Sequence, residues 1–140
     1  MRQILLFAAL AASLALLSGC TLSKTKKDTP EDMTGKAAYH KISAEEAYEM
    51  MSSQEVVVVD VRTREEYDGG HIENAVLVPN ESIGSEMPGA LPDKEATLLI
   101  YCRSGRRSKD AAQKLLASGY QSVYDFGGVI DWPYELVKEG

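Results

Sequence analysis

Residues 101–108 read Tyr-Cys-Arg-Ser-Gly-Arg-Arg-Ser, and they are the most informative segment of the sequence. Cys102 closes the apolar run Thr97–Tyr101, whose length and composition predict a buried strand. Residues 108–117 then predict a helix that ends at Gly119. We therefore expect Cys102 between a strand end and a helix start, where unpaired backbone N–H groups favour an anion.

The segment after Cys102 is cationic, because it carries Arg103, Arg106 and Arg107. In such surroundings a thiol ionises more easily than a free cysteine, and the thiolate is the nucleophilic form. A buried structural cysteine followed by a basic helix start is the alternative interpretation. A structural role does not require three arginines within five residues, so the sequence favours a reactive cysteine.

Strands and helices alternate along the rest of the chain. The run Val56–Val61 predicts a strand buried on both faces, and Ser43 and Thr63 each open a capping box. The remaining predicted elements are strands at 39–42, 75–78 and 122–125, helices from 43 to about 52 and from 63 to 68, a helical turn at 82–87, and a last helix carrying Trp132. This pattern predicts an α/β fold with a mostly parallel central sheet of about five strands and helices on both faces. Sites in such sheets form beyond the carboxyl ends of strands, where Cys102 falls.

The first residues of the chain predict export. A basic start precedes the apolar run Ile4–Leu17, which is too short to span a bilayer comfortably. The run ends in Leu-Ser-Gly-Cys at 17–20, which resembles the cleavage box of bacterial lipoproteins. The resemblance implies that residues 1–19 are a signal peptide and that lipidated Cys20 anchors the chain at the extracytoplasmic face of the bacterial cell membrane. An uncleaved anchor or an ordinary signal peptide is the alternative.

Composition separates a tether from a single domain. Residues 20–38 are rich in Lys, Thr, Asp and Pro without an apolar period, which predicts a flexible tether. Residues 39–140 suffice for one domain with one core. The formal net charge of −6 at pH 7 argues against a nucleic-acid partner. With Cys20 acylated, Cys102 has no disulfide partner, and two histidines do not suggest a metal site, so we expect no cofactor and no metal.

Three blocks within about residues 39–138 resemble the single-domain rhodaneses, a family of sulfurtransferases. The blocks are Asp60–Tyr67 with Gly70-His71-Ile72, the active-site loop Cys102–Ser108, and Gly127–Trp132. The chain departs from the family pattern where relatives commonly have Ile-Pro-Gly-Ala, because it reads Ile-Glu-Asn-Ala at 72–75. We expect Asn74 to keep the turn, since Asn tolerates left-handed backbone better than most residues.

The resemblance implies a reaction at Cys102. The thiolate attacks the outer sulfur of a small anionic donor such as thiosulfate, sulfite leaves, and a cysteine persulfide remains. A thiol or cyanide then takes that sulfur, in two steps of covalent catalysis. We rank Arg107 first among the arginines because it lies nearest the helix start, and Ser108 is alternatively only a helix cap. The candidate residues for binding the donor and shaping the loop are Arg103, Ser104, Gly105, Arg106, Arg107 and Ser108.

Polar residues of the first block are expected to support the site. Asp60 and Arg62 come just past a buried strand, so we expect them at the same edge of the sheet as Cys102. We expect them to pair with loop backbone or with Glu65 or Glu66 rather than to take part in the chemistry. His71 is expected to be structural, although a general base is the alternative.

Two other function classes share these features. A cysteine phosphatase is one, because some phosphatases have this fold, but they place five residues between Cys and Arg, and here four separate Cys102 from Arg107. A binding module or a persulfide carrier for a partner protein at the envelope is the other. Loss of the cysteine would favour a pure binding module, and Cys102 is present.

Overall fold

The structure is a computed structural model that describes residues 37–84 and 86–138. The predicted signal peptide and the lipidation site Cys20 lie outside the described residues, as does nearly all of the tether. The strands are β1 (Ala38–Lys41), β2 (Val57–Asp60), β3 (Val76–Leu77), β4 (Thr97–Cys102) and β5 (Ser122–Gly128). The helices are α1 (Ala44–Ser53), α2 (Arg64–Asp68) and α3 (Arg106–Ala117), with 3₁₀ turns at Asn80–Ser82 and Val129–Asp131.

The five strands form one sheet in the order β1-β5-β4-β2-β3, and every neighbouring pair is parallel. This confirms the predicted α/β fold. The register sets Asp60 of β2 opposite Tyr101 of β4, and Cys102 opposite Gly128 of β5. Because parallel strands end at the same edge, the ends of β2, β4 and β5 meet where the predicted site lies.

Side chains alternate between the two faces of β4, and each face has its own core. Leu98, Ile100 and Cys102 pack with α3, whereas Leu99 and Tyr101 pack with the face that α1 and α2 cover. All five side chains are at most 1% exposed. The pleat therefore directs Cys102 toward the start of α3.

Local chemistry explains where the helices begin. Ser43 and Thr63 each accept a hydrogen bond from the backbone N–H three residues later, and both predicted capping boxes are present. Helix α3 instead begins at Arg106, so the predicted start at Ser108 is wrong. Its N-cap is Gly105 in the left-handed conformation, with φ 98° and no side-chain cap. Glycine adopts this backbone at little cost, which allows the helix to start earlier.

The structure differs from the sequence-based predictions at three further places and agrees with them at Asn74. The helical turn expected at 82–87 lies instead at Asn80–Ser82, directly after Pro79. No last helix carries Trp132, which follows the 3₁₀ turn Val129–Asp131 and packs against the second core. Strand β1 begins at Ala38, within the predicted tether. Asn74 has φ 63° and keeps the turn as expected.

The helices within residues 37–84 and 86–138 are all too short or too polar to cross a membrane.

Candidate active site

Cys102 is the last residue of β4, and the following loop wraps around its sulfur. The side chain is 1% exposed. The Gly105 N–H donates a hydrogen bond to Sγ at 3.0 Å, and the left-handed backbone of Gly105 turns that N–H back toward the strand end. Ser108 Oγ lies 3.8 Å from Sγ, on the first turn of α3. The loop therefore forms a cradle of donors around one sulfur.

The cradle favours the thiolate. Burial raises the pKa of Cys102, but hydrogen bonds from the backbone N–H groups of Ser108, Gly105 and Ser104 and from the Ser108 side chain lower it. The donors outweigh burial, so the pKa lies below that of an ordinary cysteine. Donors that stabilise a thiolate also suit a persulfide anion, since both place negative charge inside the same ring of N–H groups.

The loop rests directly on the end of β5. A Cβ atom added at Gly128 would lie 2.2 Å from the Arg103 carbonyl oxygen and 2.6 Å from Ser104 Cα. The Ile130 N–H donates to the same Arg103 oxygen at 3.2 Å. Only glycine at position 128 therefore lets the loop approach this closely. In the sequence, Gly127 and Gly128 are recognised only as part of the third block, which does not predict this close approach.

Asp125 is a functional candidate that the sequence analysis missed. It is 1% exposed, and its Oδ1 accepts hydrogen bonds from Ser108 Oγ at 2.7 Å and from the Gly127 N–H at 2.9 Å. Its Oδ2 accepts from the Tyr39 hydroxyl at 2.9 Å, and Lys41 Nζ lies 3.4 Å from Oδ1. An acid at the carboxyl end of the predicted strand 122–125, the end where sites form, was the available signal. The alternative that Ser108 is only a helix cap is wrong, because Gly105 is the N-cap of α3 and no side chain caps this helix. The Ser108 hydroxyl instead lies 2.7 Å from Asp125 Oδ1 and 3.1 Å from the Gly105 carbonyl of the loop.

The three loop arginines differ in their surroundings. Arg103 and Arg106 are exposed at the rim of the site. Arg107 is partly buried and donates two hydrogen bonds to Glu66, at 2.7 and 2.8 Å. Those hydrogen bonds raise the pKa of Arg107, and the charge of Cys102 adds to the effect. Arg107 is therefore both an electrostatic neighbour of the thiolate and the partner of a carboxylate that the sequence did not assign to it.

Asp60 and Arg62 lie at the same sheet edge but do not contact the sulfur in any described hydrogen bond. They pair with each other, with Arg62 Nη2 2.6 Å from Asp60 Oδ2, and Arg62 also donates to the Gly70 carbonyl at 2.8 Å. Of the two expected kinds of partner, loop backbone is present in the Gly70 carbonyl. Glu65 and Glu66 are not the partners, because Arg62 reaches the nearer carboxylate of Asp60. The pair holds the turn after α2 in place beside Tyr101, whose ring Arg62 covers at 5.5 Å.

His71 has the surroundings of a structural residue. Its Nδ1 lies 2.9 Å from the Tyr67 carbonyl, and its ring stacks on the Tyr67 ring with centroids 3.7 Å apart. It is 4% exposed, and its backbone pairs with Val137. These contacts account for His71 without a role as a general base.

Comparisons with known proteins agree with this geometry. A rhodanese-like domain protein of Staphylococcus aureus is 33% identical, has a TM-score of 0.62, and matches 72% of this chain and 99% of its own. A human single-domain sulfurtransferase is 26% identical, with a TM-score of 0.60 over 66% of this chain and 93% of its own. A rhodanese from E. coli is 33% identical, with a TM-score of 0.55 over 61% of this chain and all of its own. Fold and neighbours support a sulfur-transfer or related enzyme.

Curated relatives extend well beyond the region of similarity. The tRNA uridine(34) hydroxylase of Yersinia pestis is 31% identical over 106 residues, which are 72% of this chain and 30% of that protein. The chain thus spans about a third of the length of such relatives. The family model of the Rhodanese-like domain matches residues 43–133. The chain therefore belongs to the rhodanese-like domain family.

Proposed function

We propose that this chain is a sulfurtransferase that carries a sulfane sulfur on Cys102 as a persulfide. The observation that supports this most directly is the cradle around Sγ, in which the Gly105 N–H lies 3.0 Å from the sulfur. A nucleophile with a lowered pKa and donors for a second anionic sulfur are what the first half-reaction requires. We take thiosulfate or a related small anion as the donor.

The proposed reaction has two half-reactions. The Cys102 thiolate attacks the sulfane sulfur of thiosulfate, a new S–S bond forms, and sulfite leaves with the electron pair of the bond that breaks. A thiol or cyanide then attacks the outer sulfur of the persulfide, and Cys102 leaves as a thiolate. The enzyme alternates between two stable forms, so ping-pong kinetics are expected.

The arginines divide the electrostatic work in this proposal. Arg103 and Arg106 are exposed beside the loop and attract the anionic donor from solution. Arg107 stabilises the thiolate and the leaving sulfite from its place against Glu66. A phosphatase is less well supported. Arg107 has the spacing from Cys102 that comes nearest to the phosphatase pattern, and two of its N–H groups already donate to Glu66.

A persulfide carrier or binding module that serves a partner protein is the second candidate. It is favoured by Ile130, which is 63% exposed although its own N–H donates to the loop at Arg103. An exposed branched apolar side chain beside the sulfur site suits contact with a protein acceptor. In this case the acceptor thiol belongs to the partner, and small thiols are poor substrates.

We further propose that the domain works at the outer face of a bacterial membrane, held by an acylated Cys20. The lipoprotein-like box at 17–20 supports this proposal. We propose no nucleic-acid partner, because the chain has a net charge of −6 at pH 7.

Mass spectrometry of the protein after incubation with thiosulfate tests the proposal. We expect one added sulfur atom on the peptide that contains Cys102, and its loss after a thiol or cyanide is added. Cys102→Ser is the matched control and should gain nothing. A wild-type Cys102 peptide that stays unmodified would contradict sulfur transfer from thiosulfate. Sulfur that leaves only when a protein acceptor is supplied would favour the carrier.

A further inference from the structure

Asp125 is a buried acid that the proposed chemistry does not use. It lies on β5, is 1% exposed, and has donors from three sides. Its Oδ1 receives the Ser108 hydroxyl and the Gly127 N–H, and its Oδ2 receives the Tyr39 hydroxyl. Lys41 Nζ is 3.4 Å away, with its side chain half in solvent. Both oxygens of this buried carboxylate therefore have donors, and one of these donors, Ser108, also lies beside the sulfur.

Ser108 connects this carboxylate to the nucleophile. Its hydroxyl has a single proton and four acceptors within reach. Two are neutral, the Gly105 carbonyl at 3.1 Å and the Gly127 carbonyl at 3.3 Å. The other two are charged groups in the thiolate form of the site, Asp125 Oδ1 at 2.7 Å and Cys102 Sγ at 3.8 Å, and a charged acceptor holds the proton more strongly than a neutral carbonyl. When the proton points to Asp125, only oxygen lone pairs face the sulfur, and these suit a protonated thiol. When the hydroxyl rotates toward the sulfur, it supports the thiolate. The exchange needs rotation about one C–O bond and no proton transfer.

We propose that Asp125 is a positioning residue that governs the ionisation of Cys102 by competing with its thiolate for the single proton of Ser108. The inference rests on the proposed function only for the use that the enzyme makes of this competition. The competition itself takes place without any sulfur donor. Its use follows from the two half-reactions. Attack on a donor needs a basic thiolate, whereas release of the persulfide sulfur needs Cys102 to be a good leaving group. By competing for the Ser108 proton, the Asp125 carboxylate keeps the pKa of Cys102 at an intermediate value that serves both half-reactions.

Residues of β1 regulate how strongly Asp125 competes. The Tyr39 hydroxyl satisfies Oδ2 and the Lys41 ammonium group approaches Oδ1, so both weaken the hold of the carboxylate on Ser108. Burial and the contact with Asp125 raise the pKa of Tyr39 to about 12, so its hydroxyl stays protonated and donates. On the opposite side, Arg107 of α3 interacts with the charge of Cys102.

The two ends of this network predict opposite shifts. Asp125→Asn removes the charge and weakens the acceptor, which leaves the Cys102 thiolate as the charged acceptor beside the two neutral carbonyls of Gly105 and Gly127. The Ser108 hydroxyl then supports the thiolate more, and the Cys102 pKa falls. Tyr39→Phe removes one donor from Asp125 without changing charge, so the carboxylate holds Ser108 more tightly and the Cys102 pKa rises. We expect shifts of about half a unit to one unit, or about threefold to tenfold in thiolate fraction below the pKa.

The test is the rate of alkylation of Cys102 by iodoacetamide across pH in the full-length protein. The rate is measured on the peptide that contains Cys102, because Cys20 also carries a thiol in unacylated chains. Each variant is paired with the same change in a Ser108→Ala background. In that background we expect Tyr39→Phe no longer to raise the Cys102 pKa. Asp125→Asn should still lower the Cys102 pKa, but only by the direct electrostatic effect of the lost charge.

Tyr39→Phe decides the matter if Asp125→Asn does not fold, because Tyr39 is 37% exposed and loses only a hydroxyl group. No shift, a downward shift, or an upward shift that persists without Ser108 would overturn the proposal. Alkylation needs no sulfur donor, so the outcome is separate from the proposed function. The predicted shifts without any sulfur loading would refute sulfur transfer and leave the role of Asp125 in place.

Discussion

Arg107 and Glu66 meet in a two-pronged ion pair, with Nη1 to Oε2 at 2.7 Å and Nη2 to Oε1 at 2.8 Å. The pair joins the start of α3 to α2, across 41 positions of sequence. Glu66 also accepts the Thr63 N–H as part of a capping box. One carboxylate therefore orients an arginine beside the nucleophile and closes the first turn of another helix.

The Glu66 carboxylate should make stability depend on acid. Hydrogen bonds from Arg107 lower its pKa to about 2, against the opposing effect of burial. The stabilisation is therefore fully present above the pKa of the unfolded chain, roughly 4.3, and is lost as pH falls toward about 2. We expect urea unfolding across this window to show an acid-sensitive loss of about 1–2 kcal/mol. Glu66→Gln should make the free energy of unfolding depend less on pH in this window. An unchanged dependence on pH would mean that other carboxylates cause it.

The arginines should differ in their effect on turnover. Arg107→Ala should lower kcat/KM for thiosulfate more than Arg103→Ala does, because Arg107 interacts with the charge of the thiolate. We expect Arg107→Ala to lose about 1.5–3 kcal/mol of transition-state stabilisation. Arg103 is exposed and acts mainly on the encounter with the donor, so its effect should weaken with added salt. Equal losses in the two variants at the same salt concentration would contradict this ranking.

Cys102 should react as a thiolate near neutral pH. Free cysteine titrates at roughly 8.5, and the donors of the loop lower the pKa of Cys102 from its ordinary value. Alkylation should therefore be appreciable near about pH 7 and should abolish sulfur transfer in proportion. Cys102→Ser should keep the circular dichroism spectrum and lose activity. A thiol that reacts only under strongly alkaline conditions would refute the role of the loop.

Gly128 should be required for the loop to seat. A methyl group there would meet the Arg103 carbonyl oxygen at 2.2 Å, so the loop must move away from β5. We expect Gly128→Ala to destabilise the protein by about 1–3 kcal/mol and to slow alkylation of Cys102 at neutral pH. Gly89→Ala is the matched control, because nothing lies within 4 Å of its added Cβ. Similar behaviour of the two variants would show that the loop tolerates displacement.

The lipoprotein-like box predicts a membrane-bound mature form. Cys20→Ala should prevent maturation and leave the signal peptide attached, and wild-type protein should partition into detergent. One acyl chain holds a protein only marginally, whereas two or three hold it firmly. Recovery of wild-type protein as an unmodified species in the aqueous phase would contradict the anchor.

Features that depend on neighbours along the chain could be predicted from the sequence. The position of Cys102 after an apolar strand, the capping boxes at Ser43 and Thr63, and the left-handed turn at Asn74 follow from composition and spacing within a few residues. The order of strand and helix patterns likewise sufficed for a parallel α/β sheet, because parallel strands require crossover connections.

The pairing of polar groups from distant segments could not be predicted from the sequence and is visible in the folded chain. Ser108 and Asp125 are 17 positions apart and Arg107 and Glu66 are 41 apart, so no local pattern pairs them. The earlier start of α3 likewise depends on the left-handed backbone of Gly105, which turns its N–H to the sulfur. The physical reason is the parallel sheet. It gathers the ends of distant strands at one edge, where buried charged and hydroxyl groups need partners, and for Ser108 and Arg107 those partners come from other segments.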